Sequence, residues 1–249
     1  MAGPEREHGG AGRVVRDVQV EIWSDVVCPW CAIGKRRFEA ALARFEHRDE
    51  VVVRWRSFEL DPTAPRERPG PLVEHLAGKY GAAPAQAREM IDRMTATAAA
   101  DGWAFRLDRA RGGNTVDAHR LLHLAAERGV QDAVKERLLA AHLVDGEPIG
   151  DPDALARLAA GAGLDEAEAR AVLASDRYVD GVRADEAQAR AHGITGVPFF
   201  VVDAAYGVSG AQPADVLLDV LRTAWTAAHP LQVVGGPAGE ACADGSCAV

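Results

Sequence analysis

Residues 18–47 read VQVEIWSDVVCPWCAIGKRRFEAALARFEH. In VQVEIWS (18–24), Val18, Val20 and Ile22 alternate with Gln19 and Glu21, the period of a strand with one face buried. From Cys28 the period lengthens. Ile33, Phe38, Ala41, Leu42 and Phe45 fall at helical spacing, which predicts a helix over 29–47 that begins at the cysteine pair. Val51, Val53 and Trp55 then alternate with Arg54 and Arg56 as a second strand. Strand, helix and strand in so short a stretch imply two parallel strands joined by a crossover helix.

Working outward, the composition changes at about residue 65. Residues 65–192 are rich in Ala, Leu, Arg and Glu and carry helix punctuation but no strand pattern. Asn114 can cap a helix with Ala118, Leu121, Leu122 and Ala125 on one face, and Gly129 ends it. Asp151–Pro152 is a helix start, and Asp165 with Glu168 three residues on resembles a capping box. Strand signals return in GVPFFVVD (196–203), whose apolar run Phe199–Val202 suits a strand buried on both faces. Asp203–Ala205 form a turn, Tyr206–Ser209 a short return strand, and about 213–227 a last helix. The order is βαβ, a long helical block, then ββα. This divides the chain into a flexible N-terminal segment (1–17), an α/β domain in two pieces (18–64 and 193–228), an inserted all-helical domain (65–192) and a flexible Gly-rich tail (229–249).

The chemistry sits at Cys28–Pro29–Trp30–Cys31. The thiolate is the nucleophile in disulfide exchange, and a free thiol with a pKa of about 8.5 is mostly protonated at neutral pH. Cys28 follows a strand and opens a helix, with Pro29 where its missing N–H costs nothing. The free N–H groups and the positive end of the helix dipole therefore face the Cys28 sulfur. Cys31 lies one turn further in, where it can attack a mixed disulfide on Cys28. A lone CxxC also fits a buried pair or half of a zinc site, but a CxxC at a strand-to-helix junction favours redox chemistry.

Val197–Pro198 supplies a second piece. Proline opening a buried strand removes a ladder donor. A cis peptide there would turn the Val197 backbone towards substrate and keep a Pro198 N–H away from Cys28. An ordinary trans proline at a strand start is the plainer reading of those two residues alone; the CxxC upstream tips the balance.

CPWC after VQVEIWS, the helical insertion, GVPFFVV and VSGAQP together resemble the DsbA family, most closely its cytoplasmic FrnE-like branch of predicted dithiol–disulfide isomerases. NTVDAHRLLHLA (114–125) also resembles that branch. The resemblance spans about residues 18–227. It implies a thioredoxin-like fold with a helical domain inserted between its halves, protein thiols as substrate, Cys28 as nucleophile and Pro198 as a cis-proline. It also makes Asn114 and His119 candidate groove residues, although capping accounts for Asn114 by itself. His119 and His123, four apart, have a metal-like spacing, but helix surface near the domain interface is the simpler expectation. Trp23, Trp55 and Trp103 read as core.

The formal net charge of −9, with 28 Lys and Arg against 37 Asp and Glu, disfavours nucleic-acid binding, which needs a basic surface. No run is apolar enough to span a bilayer. The first 17 residues lack a secretory h-region, so a cytoplasmic location is expected. Four cysteines are too few for a disulfide scaffold, and they form two close pairs. The second, Cys242 and Cys247 in CADGSC, is read as a mobile auxiliary dithiol exchanging with the first rather than as a zinc site. No cofactor is expected beyond the redox-active disulfide and a thiol partner such as a low-molecular-weight thiol. Partners are protein or small-molecule thiols and disulfides; the oligomeric state, the direction of exchange and the physiological substrate stay open. The alternative is a glutathione-dependent isomerase or transferase of the 2-hydroxychromene-2-carboxylate isomerase type. Such enzymes need no resolving thiol, so Cys31 favours redox exchange.

Overall fold

The computed structural model describes residues 16–230. Strand β1 (Val18–Ser24) leads through a short loop into α1 (Pro29–Ala43), and β2 (Val51–Ser57) follows. Six helices come next: α2 (Leu72–Tyr80), α3 (Pro84–Ala100), α4 (Val116–Glu127), α5 (Gln131–Ala140), α6 (Pro152–Ala160) and α7 (Glu166–Leu173). A π turn (Ala141–Asp145) extends α5, and α8 (Val179–Ala191) leads back to the sheet. Strands β3 (Phe199–Val202) and β4 (Tyr206–Ser209) and helix α9 (Ala214–Ala228) complete the described chain. The sheet runs β2-β1-β3-β4, with β1 parallel to β2 and antiparallel to β3, and β3 antiparallel to β4. This is the thioredoxin-like order expected from the sequence, with helices between β2 and β3.

Alternation decides the two faces of the sheet. Val18, Val20 and Ile22 of β1 and Phe200 and Val202 of β3 are buried with Phe38 of α1 and Leu217 and Leu221 of α9. On the other face Trp23 and Val201 pack with Ala189 of α8 and Ile194, and the Trp23 indole N–H donates to the Asp185 carbonyl at 2.9 Å. Thus β3 is buried on both sides, as its unbroken apolar run implied. Helices α4 to α7 enclose a separate core around Leu121, Leu124, Leu138 and Leu155. A third cluster joins Ala32 and Ile33 of α1 to Trp103, Leu139 and Leu143, anchoring the helical block against the helix that carries the cysteines.

Helix α1 ends earlier than the expected residue 47. The Arg44 N–H turns back to Ala41 and Leu42 carbonyls, and Phe45 is buried from the turn that follows rather than from the helix. Apolar spacing past a helix end cannot distinguish these cases. The β3–β4 turn places Asp203 and Ala204 at φ 50° and 54°. The Asp203 side chain accepts from the Gln19 N–H at 2.8 Å and its own N–H donates to Gln19 O at 2.8 Å, extending the pairing with β1.

Gly34, in the middle of α1, faces Pro198. A Cβ there would stand 2.9 Å from Pro198 Cγ, a ring atom with no room to rotate away. Gly34→Ala would gain about 0.5–1 kcal/mol of helix propensity, but overpacking costs about 1–3 kcal/mol. A net loss on the order of 1 kcal/mol is expected. A urea midpoint for Gly34→Ala at or above that of the native chain would contradict this packing.

Candidate active site

Cys28 occupies the N-cap of α1 (φ −91°, ψ 112°) with Pro29 in the first turn. Its carbonyl accepts from the N–H groups of Cys31 at 3.1 Å and Ala32 at 3.3 Å, so the main chain of Cys28 starts the helix. The Cys28 thiol lies 3.7 Å from the Val197 carbonyl oxygen, to which it donates. The Val197–Pro198 peptide is cis. Cys28 and Cys31 are both free thiols and both buried.

Their environments push the two thiols in opposite directions. The Cys31 thiol hydrogen bond lowers the Cys28 pKa, and the Cys31 and Trp30 N–H groups add to it against the opposing effects of burial and of Asp25. Burial drives Cys31 well above an ordinary thiol, and both the hydrogen bond to Cys28 and the Cys28 charge push the same way. The result is one activated sulfur and one that keeps its proton.

Beneath the pair lies Asp25, from the loop after β1. Burial raises its pKa, but hydrogen bonding to His119, the charge of His119 and the Leu60 N–H outweigh this and hold it below the usual carboxylate value. Oδ1 lies 3.3 Å from His119 Nε2, and Oδ2 accepts from the Leu60 N–H at 2.8 Å. His119 is therefore fully buried rather than on the helix surface expected from its spacing. Its partner lies 94 residues away in the chain, and a helical wheel cannot show a carboxylate brought in from another element. His123 is the more exposed of the two but also engaged, 3.2 Å from Asp185 Oδ2 and from Ser57 Oγ. Asn114 accepts from the Val116 N–H at 3.0 Å, so its side chain does cap α4, while Thr115 occupies the N-cap position.

A cavity of about 320 Å³ opens beside Cys28 and is bounded by Trp30, Val197, Leu72, Met94 and His142. Asn114 and His119 are not among its lining residues, although Gly113 and Thr115 are; Asn114 serves the helix start and His119 is paired with Asp25. Trp30 is the exposed member of the CPWC loop, 41% accessible.

Three residues went unread in the sequence, Asp25 among them. His142, on the π turn, lines the cavity; burial depresses its pKa to about 4, so the ring is neutral at physiological pH. Lys135 of α5 is wholly buried, its Nζ has no hydrogen-bond partner among the described residues, and it stands 5.6 Å from the Trp55 ring centroid. In QDAVKERLLA a lysine reads as solvent face, so no signal marked it. Among the described residues no group of three or more His, Cys, Asp or Glu is placed to hold a metal ion, and no helix is long and apolar enough to cross a membrane. Cys242 and Cys247 lie outside the described residues.

Comparison with known proteins gives consistent results. A family model described as the DSBA-like thioredoxin domain matches residues 19–222. The uncharacterised protein YwbO of Bacillus subtilis (strain 168) is 28% identical over 193 residues, 74% of this chain and 86% of that one. The crystal structure of the probable DsbA oxidoreductase SCO1869 from Streptomyces coelicolor superposes with a TM-score of 0.82 at 49% identity, covering 93% of this chain and 99% of the other. A 2-hydroxychromene-2-carboxylate isomerase structure superposes at 0.61 with 10% identity, over 84% and 97% of the two chains, a likeness of fold alone.

Proposed function

The chain belongs to the DSBA-like thioredoxin-domain family of thiol–disulfide oxidoreductases, and we propose on that premise that it exchanges disulfides with protein substrates through Cys28 and Cys31. In the reducing direction the Cys28 thiolate attacks a substrate disulfide. A bond forms between Cys28 Sγ and one substrate sulfur, and the other leaves as a thiolate. Cys31, deprotonated, then attacks Cys28 Sγ; the intramolecular disulfide forms and the substrate's second sulfur departs. The pair is oxidised by two electrons and the substrate disulfide becomes a dithiol. The same steps reversed oxidise a substrate dithiol. A low-molecular-weight thiol or disulfide would recycle the pair.

The observation that carries this reading is the opposite displacement of the two thiols, with Cys28 lowered and Cys31 raised. Helix geometry supports it, since one sulfur sits at the N-cap and the other a turn inside. Substrate access runs through the cavity beside Val197. Glutathione-dependent isomerisation of the 2-hydroxychromene-2-carboxylate type leaves Cys31 without a task.

Cys31→Ser tests the assignment. It keeps the nucleophile and removes the release step, so mixed disulfides with protein substrates are expected to accumulate on Cys28 and to appear in tryptic maps. If alkylation at mildly acid pH instead labels Cys31 of the native chain faster than Cys28, the roles are reversed and the reading fails.

A further inference from the structure

At about 320 Å³ the cavity beside Cys28 lies within the range of small-molecule sites, about 300–1,000 Å³. Helices α2 and α3 supply Leu72, Leu76, Met90 and Met94 to its wall, and Leu107 and Leu143 add to the apolar lining. Helix α2 has no buried residue of its own, so the leucines it lends to the cavity stay partly in water. Five large apolar side chains are exposed among the described residues, and three of them, Trp30, Leu60 and Tyr80, line this same cavity. Apolar surface gathered in this way around a nucleophile marks a binding site, whereas apolar residues exposed singly need no explanation.

The charged groups on the lining are unevenly matched. Asp25 is held by His119 and the Leu60 N–H. Asp61 is paired with Arg68, which also donates to His75 Nε2 at 2.7 Å. Burial, with the charges of Arg68 and Lys79, lowers the His75 pKa, so at neutral pH the ring is an uncharged acceptor. Lys79 is left over. Among the described residues no carboxylate lies within ion-pair distance of it, and its Nζ stands 5.9 Å from the Tyr80 ring centroid. Leu72, at the start of α2, packs against the cluster that holds Ala32 and Ile33 of the cysteine helix. Lys79 follows near the end of α2, about 10 Å further along at 1.5 Å per residue. The cavity wall is therefore an apolar length with a free cation at the end away from α1.

Resting on the exchange reading above, we propose that this cavity binds the low-molecular-weight thiol that returns the oxidised pair to its dithiol, and that this thiol has an apolar body ending in a carboxylate. Its thiolate attacks Cys28 Sγ of the Cys28–Cys31 disulfide. A bond forms between Cys28 and the incoming sulfur, the Cys28–Cys31 bond breaks, and Cys31 leaves as a thiolate that takes a proton from water. A second molecule of the thiolate attacks the small-molecule sulfur of that mixed disulfide. The small disulfide forms, Cys28 leaves as a thiolate, and the pair has gained the two electrons that the two thiols lost. The apolar body lies against Leu72, Leu76 and Met94, and the carboxylate pairs with Lys79. A peptidic thiol such as glutathione would bring amide groups against those walls with no partner for them. Protein substrates and this thiol use Cys28 in turn.

The test compares reductants. The oxidised full-length chain is mixed with 3-mercaptopropionate, 6-mercaptohexanoate, 6-mercaptohexanol or glutathione, and the dithiol is followed by alkylation and mass, with rates expressed per thiolate. Each methylene buried in the cavity is worth about fourfold, so 6-mercaptohexanoate is expected to react about 20-fold or more faster than 3-mercaptopropionate. It is expected to exceed 6-mercaptohexanol by about two- to fivefold at low salt, the worth of an exposed ion pair. Lys79→Met is expected to erase that difference between acid and alcohol. Leu76→Gln, which puts an amide into the wall, is expected to flatten the dependence on chain length; if it does not fold, the native series decides. Equal rates along the acid series, glutathione faster than 6-mercaptohexanoate, or a gain of native size in Leu76→Gln would overturn the proposal. An acid–alcohol difference that survives in Lys79→Met would overturn the carboxylate pairing. A flat series together with slower insulin reduction by Leu76→Gln would give the cavity to apolar side chains of the protein substrate instead. An oxidised pair that no thiol reduces, dithiothreitol included, sinks the exchange reading itself, whereas uniform reduction by every thiol sinks only the role of the cavity.

Discussion

Cys28→Ser is expected to reduce insulin no faster than buffer with the same thiol, and to leave scrambled ribonuclease unrepaired. The loss is complete because a serine hydroxyl cannot form the mixed disulfide on which both half-reactions depend. Cys31 cannot take over. Its thiol is raised well above an ordinary cysteine by burial, and the sulfur at the helix N-cap is the one beside the cavity. The fold should be unaffected, because serine is nearly isosteric and its hydroxyl can still donate to the Val197 carbonyl and bond with Cys31 as the Cys28 thiol does. Turnover above background in a Cys28→Ser chain with a native unfolding midpoint would place the nucleophile elsewhere.

The largest stability effect is expected at His119. His119→Leu leaves a buried carboxylate at Asp25 with only the Leu60 N–H bonded to it, and breaking such a pair costs about 3–5 kcal/mol. The pH dependence has a definite sign. In the native chain Asp25 is held low, so it stabilises the fold above its unfolded pKa of about 3.9. That contribution is lost as pH falls from there towards the lower folded value. Without His119 burial dominates and the carboxyl rises above about 3.9, so the variant loses stability as pH climbs through the raised value. The gap between native and variant is therefore narrowest in acid and widest at neutral pH. Adding Asp25→Asn removes the buried charge while keeping an acceptor for Leu60, and should recover much of the loss. Urea midpoints across pH measure this directly; a gap that does not change with pH would refute the account.

Local pattern carried much of the architecture. The bounds of β1, β3 and β4 follow from alternation or from an unbroken apolar run, and the cysteine at the N-cap of α1 follows from a strand running into a helix with Pro29 in its first turn. Asp151 and Asp165 accept backbone N–H groups at 2.7 Å, as their positions before Ala154 and Glu168 suggested. These features depend on residues a few positions apart, within reach of one turn or one strand pair.

The environment of the site was decided by the tertiary structure. His119 and Lys135 sit in amphipathic stretches where a polar residue ordinarily faces water, yet both are buried. Gly34 gives no hint in the sequence of the proline ring against it, and His142 becomes a cavity wall only where α5 runs into its π turn. The sequence by itself determined the strand order signals, the cysteine pair and the helix that activates it, because propensity and periodicity act over one or two turns. Which polar side chains are buried beneath that pair was settled only when the helical block docked on α1. The partners come from segments about a hundred residues apart, and the burial that shifts their proton affinities does not exist until those segments meet.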